Sequence, residues 1–409
     1  MQVVVFEDDR AAQLFPVTTG RPACAISCGS FQLTELLATL GAVHLVVRPH
    51  LVPLLEADGW NVGLPKPSAS ASTLVVNARL VPSAANLAVL RELVAARRPG
   101  AVRQGNHLVA ALVGAGQPIA LVSVDTRLPA LDALPAISNL AEMPLFEYPH
   151  DVVRYHLATL RQNLEYRLRQ GNYRQLGDGV FVADGAKLGE YLVTDTSRGP
   201  IILEEGASIG PYCYISGPAH LGRAARVIEH AAIKDGVALG HTTKIGGEIE
   251  GSVIEPYTNK QHHGFLGHSY LGSWVNLGAG TCNSDLKNTY GQVNMEYHGH
   301  KVSTGMQFIG CIVGDYAKSA INTGIFTGKT VGACSMLYGF VTTNVPSFVN
   351  YARLFGQVTE LPVEVMVATQ QRMFQRRNVE QRPCDIQLLH DMYDLTRHER
   401  QMAGEPLSL

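Results

Sequence analysis

Residues 203–245 read LEEGASIGPYCYISGPAHLGRAARVIEHAAIKDGVALGHTTKI, with an aliphatic side chain on every sixth position: Leu203, Ile209, Ile215, Leu221, Val227, Ile233, Leu239 and Ile245. Four residues after each of the first seven sits a mostly small residue: Ala207, Cys213, Ala219, Ala225, Ala231, Val237 and Thr243. A period of six is not that of a helix. It is a multiple of the strand period, so it returns one aliphatic side chain to the same point of each successive short strand, with small residues at the bends. Coils stacked about 4.8 Å apart pair each backbone group with the next coil and bury the aliphatic column. The pattern predicts a parallel β-helix of hexapeptide repeats.

Working outward, the register breaks at Gly251, resumes around Leu266, Leu271 and Leu277, breaks over 283–300, and returns at Val313, Ser319, Ile325, Val331 and Leu337. Such breaks predict loops leaving the solenoid, where binding faces are often built. Beyond Pro346 the sequence turns helix-like over 369–376 and 385–399, segments expected to cap the open edge of the last coil.

Upstream, the apolar run Val3 to Phe6 ends in Glu7, Asp8 and Asp9, as a buried strand entering a loop does. Further apolar runs (His44 to Val47, Leu74 to Val76, Ile119 to Val122) alternate with helix-prone stretches at Phe31 to Leu40 and Ala84 to Ala96. This alternation predicts an α/β domain with a parallel sheet. Between the two regions, 151–170 places Val152, Tyr155, Leu157, Leu160, Leu164, Tyr166 and Leu168 largely at helical spacing before Gly171. That helix either connects two domains or closes the first. The organisation expected is therefore 1–148 α/β, 149–175 linker helix, 176–345 β-helix and 346–409 helical tail.

Two domains suit 409 residues, of which 46% are hydrophobic and 17% charged. A formal net charge of −2 gives no electrostatic footprint for nucleic acid or an anionic membrane, so partners are sought among small molecules. The N-terminal MQVVVFEDDR lacks the basic and long apolar regions of a secretion signal. No apolar stretch approaches the roughly 20 residues of a bilayer span. Seven cysteines without a C-x-x-C spacing suggest a reducing compartment, so the expected location is the cytoplasm.

Candidate chemistry concentrates in 259–283, NKQHHGFLGHSYLGSWVNLGAGTCN, where paired histidines, a lysine, asparagines and a glycine-rich turn lie between repeat blocks. The pattern L-G-x-x-x-L-G-x-x-V-N-L-G-A-G-T resembles the acetyltransferase half of the bifunctional N-acetylglucosamine-1-phosphate uridylyltransferase/glucosamine-1-phosphate acetyltransferases. It is closer still to bacterial homologues described as sugar nucleotidyltransferases. The resemblance implies a left-handed β-helix, a homotrimer with each active site between subunits, acetyl-CoA as co-substrate and a sugar phosphate or nucleotide sugar as the other ligand. It places His262 at the family's catalytic histidine, which deprotonates the amine of glucosamine 1-phosphate. Imidazole suits that role, being the side chain whose ordinary pKa lies nearest neutral. Which of His262 and His263 is the base stays open. Backbone N–H groups near Gly278 to Gly280 would serve the oxyanion, although these glycines also read simply as turn residues.

By the same resemblance, Asn276 and Lys287 match residues holding the sugar phosphate, with Lys260 a further cation. Ala279 and Asn283 match the pantetheine-binding turn, and Ile321 and Tyr338 fall at later acyl-CoA contacts. Phe265 stands where the family has a substrate-contacting tyrosine, and Glu250 falls near a basic contact, so the acceptor stays open between a glucosamine 1-phosphate-like sugar and another amino sugar or nucleotide sugar.

The first domain departs further. The family's glycine-rich phosphate loop is replaced by DDRAAQLFPVTTGRP at 8–22, where Arg21 could meet a phosphate or pair with Asp8 or Asp9. Magnesium is expected only if this domain is active, and Arg79 stands at or beside the family's metal-binding aspartate. An arginine cannot ligate magnesium, which predicts weak or altered nucleotidyl transfer. Two other readings remain. In one, a β-helix scaffold trimerises a nucleotidyltransferase or sugar-nucleotide sensor. In the other, a γ-carbonic-anhydrase-like hydratase binds zinc through His263, His268 and His230.

Overall fold

The computed structural model describes residues 1–117, 119, 131, 134–137 and 141–402. The chain forms two compact units, the first Met1–Leu14, Gly20–Ser27 and Phe31–Tyr148, the second Phe15–Thr19, Cys28–Ser30 and Pro149–Leu409. Among the described residues no helix is long and apolar enough to cross a membrane.

The first unit is built on β1 (Gln2–Phe6), whose Val3, Val4 and Val5 are fully buried, as expected for a strand covered on both faces. With β2 (Ala42–Val46), β3 (Asn61–Val62), β4 (Thr73–Asn77), β5 (Gly100–Gln104) and β6 (His107–Val113) it makes a six-stranded sheet in the order β3-β2-β1-β4-β6-β5. Among the described residues its α-helices include α1 (Leu33–Ala38), α2 (Val52–Ala57) and α3 (Ala84–Ala96), the last opened by the Ser83 hydroxyl accepting from the Asn86 N–H at 3.0 Å. The expected parallel pairing holds for β1 with β2 and β4. It fails at one edge, where β5 and β6 form an antiparallel hairpin turning at Gly105. Of the run at 119–122, residues 120–122 lie outside the described residues.

The second unit opens with α4 (Asp151–Gln170), whose Leu160 and Leu164 pack on Ile202 and Ala238 of the β-helix. Leu157, though in the periodic set, is 37% exposed, so the buried stripe is narrower than the spacing predicts. The coils then wind as a left-handed parallel β-helix with three faces. On the first face Ile201, Ala219 and Val237 pair in turn, an advance of three hexapeptides per coil. The second face runs from Lys187–Leu188 to Val349–Ala352, and the third includes Val193–Asp195, Tyr214–Ser216 and Phe265–Gly267.

The eight aliphatic residues of the period-six column all lie in one core, joined by Leu266, Leu271, Leu277, Val313, Ile325, Val331 and Leu337. The long break leaves the solenoid as an antiparallel hairpin, Asn294–Tyr297 with His300–Ser303. The end of the solenoid departs from expectation. Coiling continues past Pro346 into Val349–Ala352, and Gln357–Glu360 folds back antiparallel on that strand, covering the second face's edge by hydrogen bonding. The tail follows as α5 (Val363–Gln375), α6 (Pro383–Leu395) and α7 (Arg397–Met402).

Candidate functional site

The second face ends, at each coil, in a corner leading to the third. At one such corner the strand Asn259–Lys260 passes through Gln261, His262, His263 and Gly264 into Phe265–Gly267. Lys260 occupies the inward position that Ile245 fills one coil earlier, and it is 1% exposed. Its ammonium donates to the carbonyls of Gly246 at 3.0 Å and His262 at 2.8 Å. The ammonium is thus spent inside the protein, holding the histidine loop rather than facing a ligand.

Burial lowers the Lys260 pKa to about 8. Between that value and the roughly 10.4 of an unfolded lysine, the unfolded chain binds more protons. Stability from this group therefore rises with pH through the window, the burial cost being present in full below it. Thermal melts at pH 7.5 and pH 10 should show wild type gaining on Lys260→Met by on the order of 2 kcal/mol. Parallel pH profiles of the two proteins would contradict this.

His262 and His263 are exposed, and the Gln261 amide nitrogen lies 3.2 Å from His262 Nε2, which accepts a hydrogen bond from it. The loop is locked to the next coil by the Gly280 N–H donating to the His263 carbonyl at 3.1 Å. Gly264 has φ +128°, and a Cβ there would run into the Thr281 carbonyl oxygen, so only glycine brings the loop this close to the G-A-G-T turn. Within that turn the Gly278 N–H is committed to Ser319 and the Gly280 N–H to His263. Among the described residues the Ala279 N–H donates to nothing, which makes it the turn's one candidate oxyanion donor.

Further along the corner, Ile321 is 68% exposed and Tyr338 39% exposed, beside exposed Phe326 and Phe340 on the third face. The geometry thus brings His262, Ala279, Ile321 and Tyr338 to one edge. It does not bring the rest there. Asn283 is buried, its amide exchanging hydrogen bonds with the Gly267 N–H (2.9 Å) and carbonyl (3.1 Å), so it reads backbone rather than pantetheine. Phe265 lies half-buried on the third face over Gly267, and Asn276 is exposed on the second face. Lys287 is half-buried in the excursion after Asn283. Arg21 belongs to the first unit, where it is buried and its carbonyl accepts from Arg48.

The three histidines of the zinc reading do not gather in one place among the described residues. His268 Nδ1 is 2.8 Å from an Asp285 carboxylate oxygen and its ring stacks on Phe308, while His230 stacks on Tyr212. Among the described residues no three His, Cys, Asp or Glu side chains converge as a metal site.

In the first unit, ligands of open α/β sheets bind beyond the carboxyl ends of the strands. Here that edge is closed by ion pairs. Arg79, fully buried after β4, donates through Nε and Nη2 to both Asp8 oxygens (2.8 and 2.7 Å) and through Nη1 to Glu147 at 3.1 Å. Asn77 donates to Asp8 at 2.8 Å. Burial pushes the Asp8 carboxyl up, but the hydrogen bonds and charge of Arg79 outweigh it, holding the carboxyl below its usual value. Glu7 and Arg48 make a second buried pair at 3.0 Å. Magnesium needs hard oxygen ligands, and with both Asp8 oxygens held by a guanidinium this set does not fit the ion. The sequence reported only a missing aspartate; that Arg79 would claim Asp8 had no local signal.

Fold and site define a class: an α/β unit built on a six-stranded sheet, joined to a parallel β-helix of hexapeptide repeats. Within that class, residues 3–170 match the model of the sugar nucleotidyl transferase family. The chain is 29% identical over 149 residues, 36% of its own length and 37% of the relative's, to a bifunctional sugar-1-phosphate nucleotidylyltransferase/acetyltransferase of Sulfurisphaera tokodaii. It is 33% identical over 115 residues, 27% of its length and 24% of the relative's, to the bifunctional protein GlmU of Ralstonia pickettii. To the GlmU of Paracoccus denitrificans it is 32% identical over 147 residues, 32% of each chain. The chain thus spans between 24% and 37% of the length of these relatives. A solved UDP-N-acetylglucosamine acyltransferase of Francisella novicida aligns over 57% of this chain and 79% of its own, at 16% identity and a TM-score of 0.36.

Proposed function

We propose that the protein is an acetyl-CoA-dependent N-acetyltransferase acting on an amino-sugar phosphate, with His262 as the general base. The observation that carries this reading is the pairing of an exposed imidazole with the uncommitted Ala279 N–H on the adjoining coil, held in register by Gly280 and His263. In this reading the amine nitrogen bonds to the thioester carbonyl carbon while His262 takes its proton. The Ala279 N–H donates to the developing oxyanion. As the carbon–sulfur bond breaks, the proton passes to the departing thiolate. The exposed stripe of Ile321, Phe326, Tyr338 and Phe340 suits both a pantetheine arm and the subunit contacts of a homotrimer.

For the first unit the reading is sugar-nucleotide binding without magnesium-dependent turnover, because the Asp8–Arg79 pair occupies the edge where a metal would sit. The test is a free-thiol assay of the full chain with acetyl-CoA and glucosamine 1-phosphate, then a panel of amino sugars, products identified by mass. Thiol release matched by an N-acetylated sugar is expected with at least one acceptor. No release across the panel would overturn the proposal in favour of a scaffold or sensor.

A further inference from the structure

Outside the histidine corner, the second face carries a column of polar side chains that point away from the core. Successive coils place Lys244 beside Asn259, Asn259 beside Asn276, and Asn276 beside Lys318. The end of α5 lies against this column with Arg376 and Arg377, and together they line a cleft of about 410 Å³ that contains no carboxylate. That volume falls within the range of small-ligand pockets.

We propose that this cleft binds a phosphate-bearing ligand through Lys244, Lys318, Arg376 and Arg377. Elsewhere the chain pairs several enclosed arginines with carboxylates, as Arg48 with Glu7, Arg79 with Asp8 and Arg400 with Glu360. In the cleft none of the four has a carboxylate partner among the described residues. The gathering is local, since the whole chain has a formal net charge of −2. Burial lowers the Lys244 pKa, and the charges of Arg377, Arg226 and Arg376 lower it further, as expected of cations facing each other without an anion between them.

The cations are also aimed. Arg377 Nη2 donates to the Asn259 side-chain oxygen and Lys318 Nζ to the Tyr316 carbonyl at 2.9 Å, which fixes both head groups without neutralising them. Tyr257 and Trp274 stack with centroids 4.2 Å apart along the wall, and Trp274 leans on Phe374 of α5. A rigid aromatic wall next to cations is the surface a nucleotide's phosphates and base would use. Gln261 lines the cleft and also meets His262, so the cleft adjoins the proposed transfer site. The inference rests on that function only for which end of the ligand reacts. Two sources offer the same phosphate chemistry, the adenosine diphosphate end of CoA and a sugar phosphate.

Calorimetric titration of the full chain with pyrophosphate, ADP, CoA and glucosamine 1-phosphate tests the site. At least one probe should bind, and Arg376→Ala/Arg377→Ala should weaken it by roughly tenfold or more, since charge-assisted contacts are lost. Lys244→Gln should weaken it in the same direction and serves if the double variant fails to fold. ADP and CoA binding alike points to the nucleotide end, and binding of glucosamine 1-phosphate alone to the sugar end. Binding unaltered in every variant, or no binding of any probe, would overturn the inference. Phosphate binding that responds to the variants without thiol release would leave the cleft standing while the transferase reading fell.

Discussion

Replacing His262 by alanine is expected to lower the rate of acetyl transfer by about a hundredfold or more, the size of a general-base contribution, while leaving the melting temperature unchanged. The two halves follow from one fact of placement. The imidazole is exposed and its one hydrogen-bond partner among the described residues is the Gln261 side chain, so its removal opens no cavity and strands no buried partner. What the loop needs for its shape is main chain: the His262 carbonyl held by Lys260, the His263 carbonyl held by Gly280, and glycine at 264. All survive the substitution. His263→Ala is the control, because its backbone contact persists and its side chain, in this reading, takes no proton. Loss of transfer in His263→Ala with retention in His262→Ala would move the base by one residue; retention in both would remove histidine catalysis from this corner.

Arg79→Ala should produce the largest loss of stability, about 3 kcal/mol, near the lower end for a broken buried ion pair because Asp8 keeps 16% side-chain exposure. The guanidinium satisfies both Asp8 oxygens, the Phe146 carbonyl and Glu147, so alanine leaves an uncompensated carboxylate and an empty volume together. At 2–4 °C per kcal/mol for a unit of this size, the first unit should melt roughly 6–12 °C lower. The sign with pH is fixed by Asp8. Its carboxyl is held below the ordinary value, so its contribution is complete above the unfolded pKa of about 3.9 and is lost as acid protonates the folded form. Wild type should therefore lose its advantage over Arg79→Ala as the pH falls below about 4. An unchanged melt would show that the pair contributes nothing net, and magnesium-dependent UTP incorporation by wild type would contradict the closed edge.

The fold was legible where one physical demand repeats. A solenoid core needs an aliphatic side chain at the same point of every strand, and the period-six column states this from Leu203 to Ile245 without a slip. Identical reasoning misleads at Lys260, which looks like a surface cation yet fills a column position, because the neighbouring turn leaves two carbonyls for its ammonium. The hairpin cap at Gln357–Glu360 escaped detection since a strand that ends a sheet carries no repeat of its own.

The sequence by itself determined the hexapeptide solenoid, the α/β character of the first unit, and the segment in which chemistry concentrates, since each is written in spacing that neighbouring residues enforce. Only the tertiary structure decided which groups of that segment turn inward and which stay open. It turned Lys260 and Asn283 inward, left the Ala279 N–H open, and gave the Asp8 oxygens to Arg79. It also aligned Lys244 with Lys318 through coils of unequal length and set Arg376 and Arg377 against them. Coil-to-coil register and the return of the tail bring together side chains distant in sequence, and no local preference records such meetings.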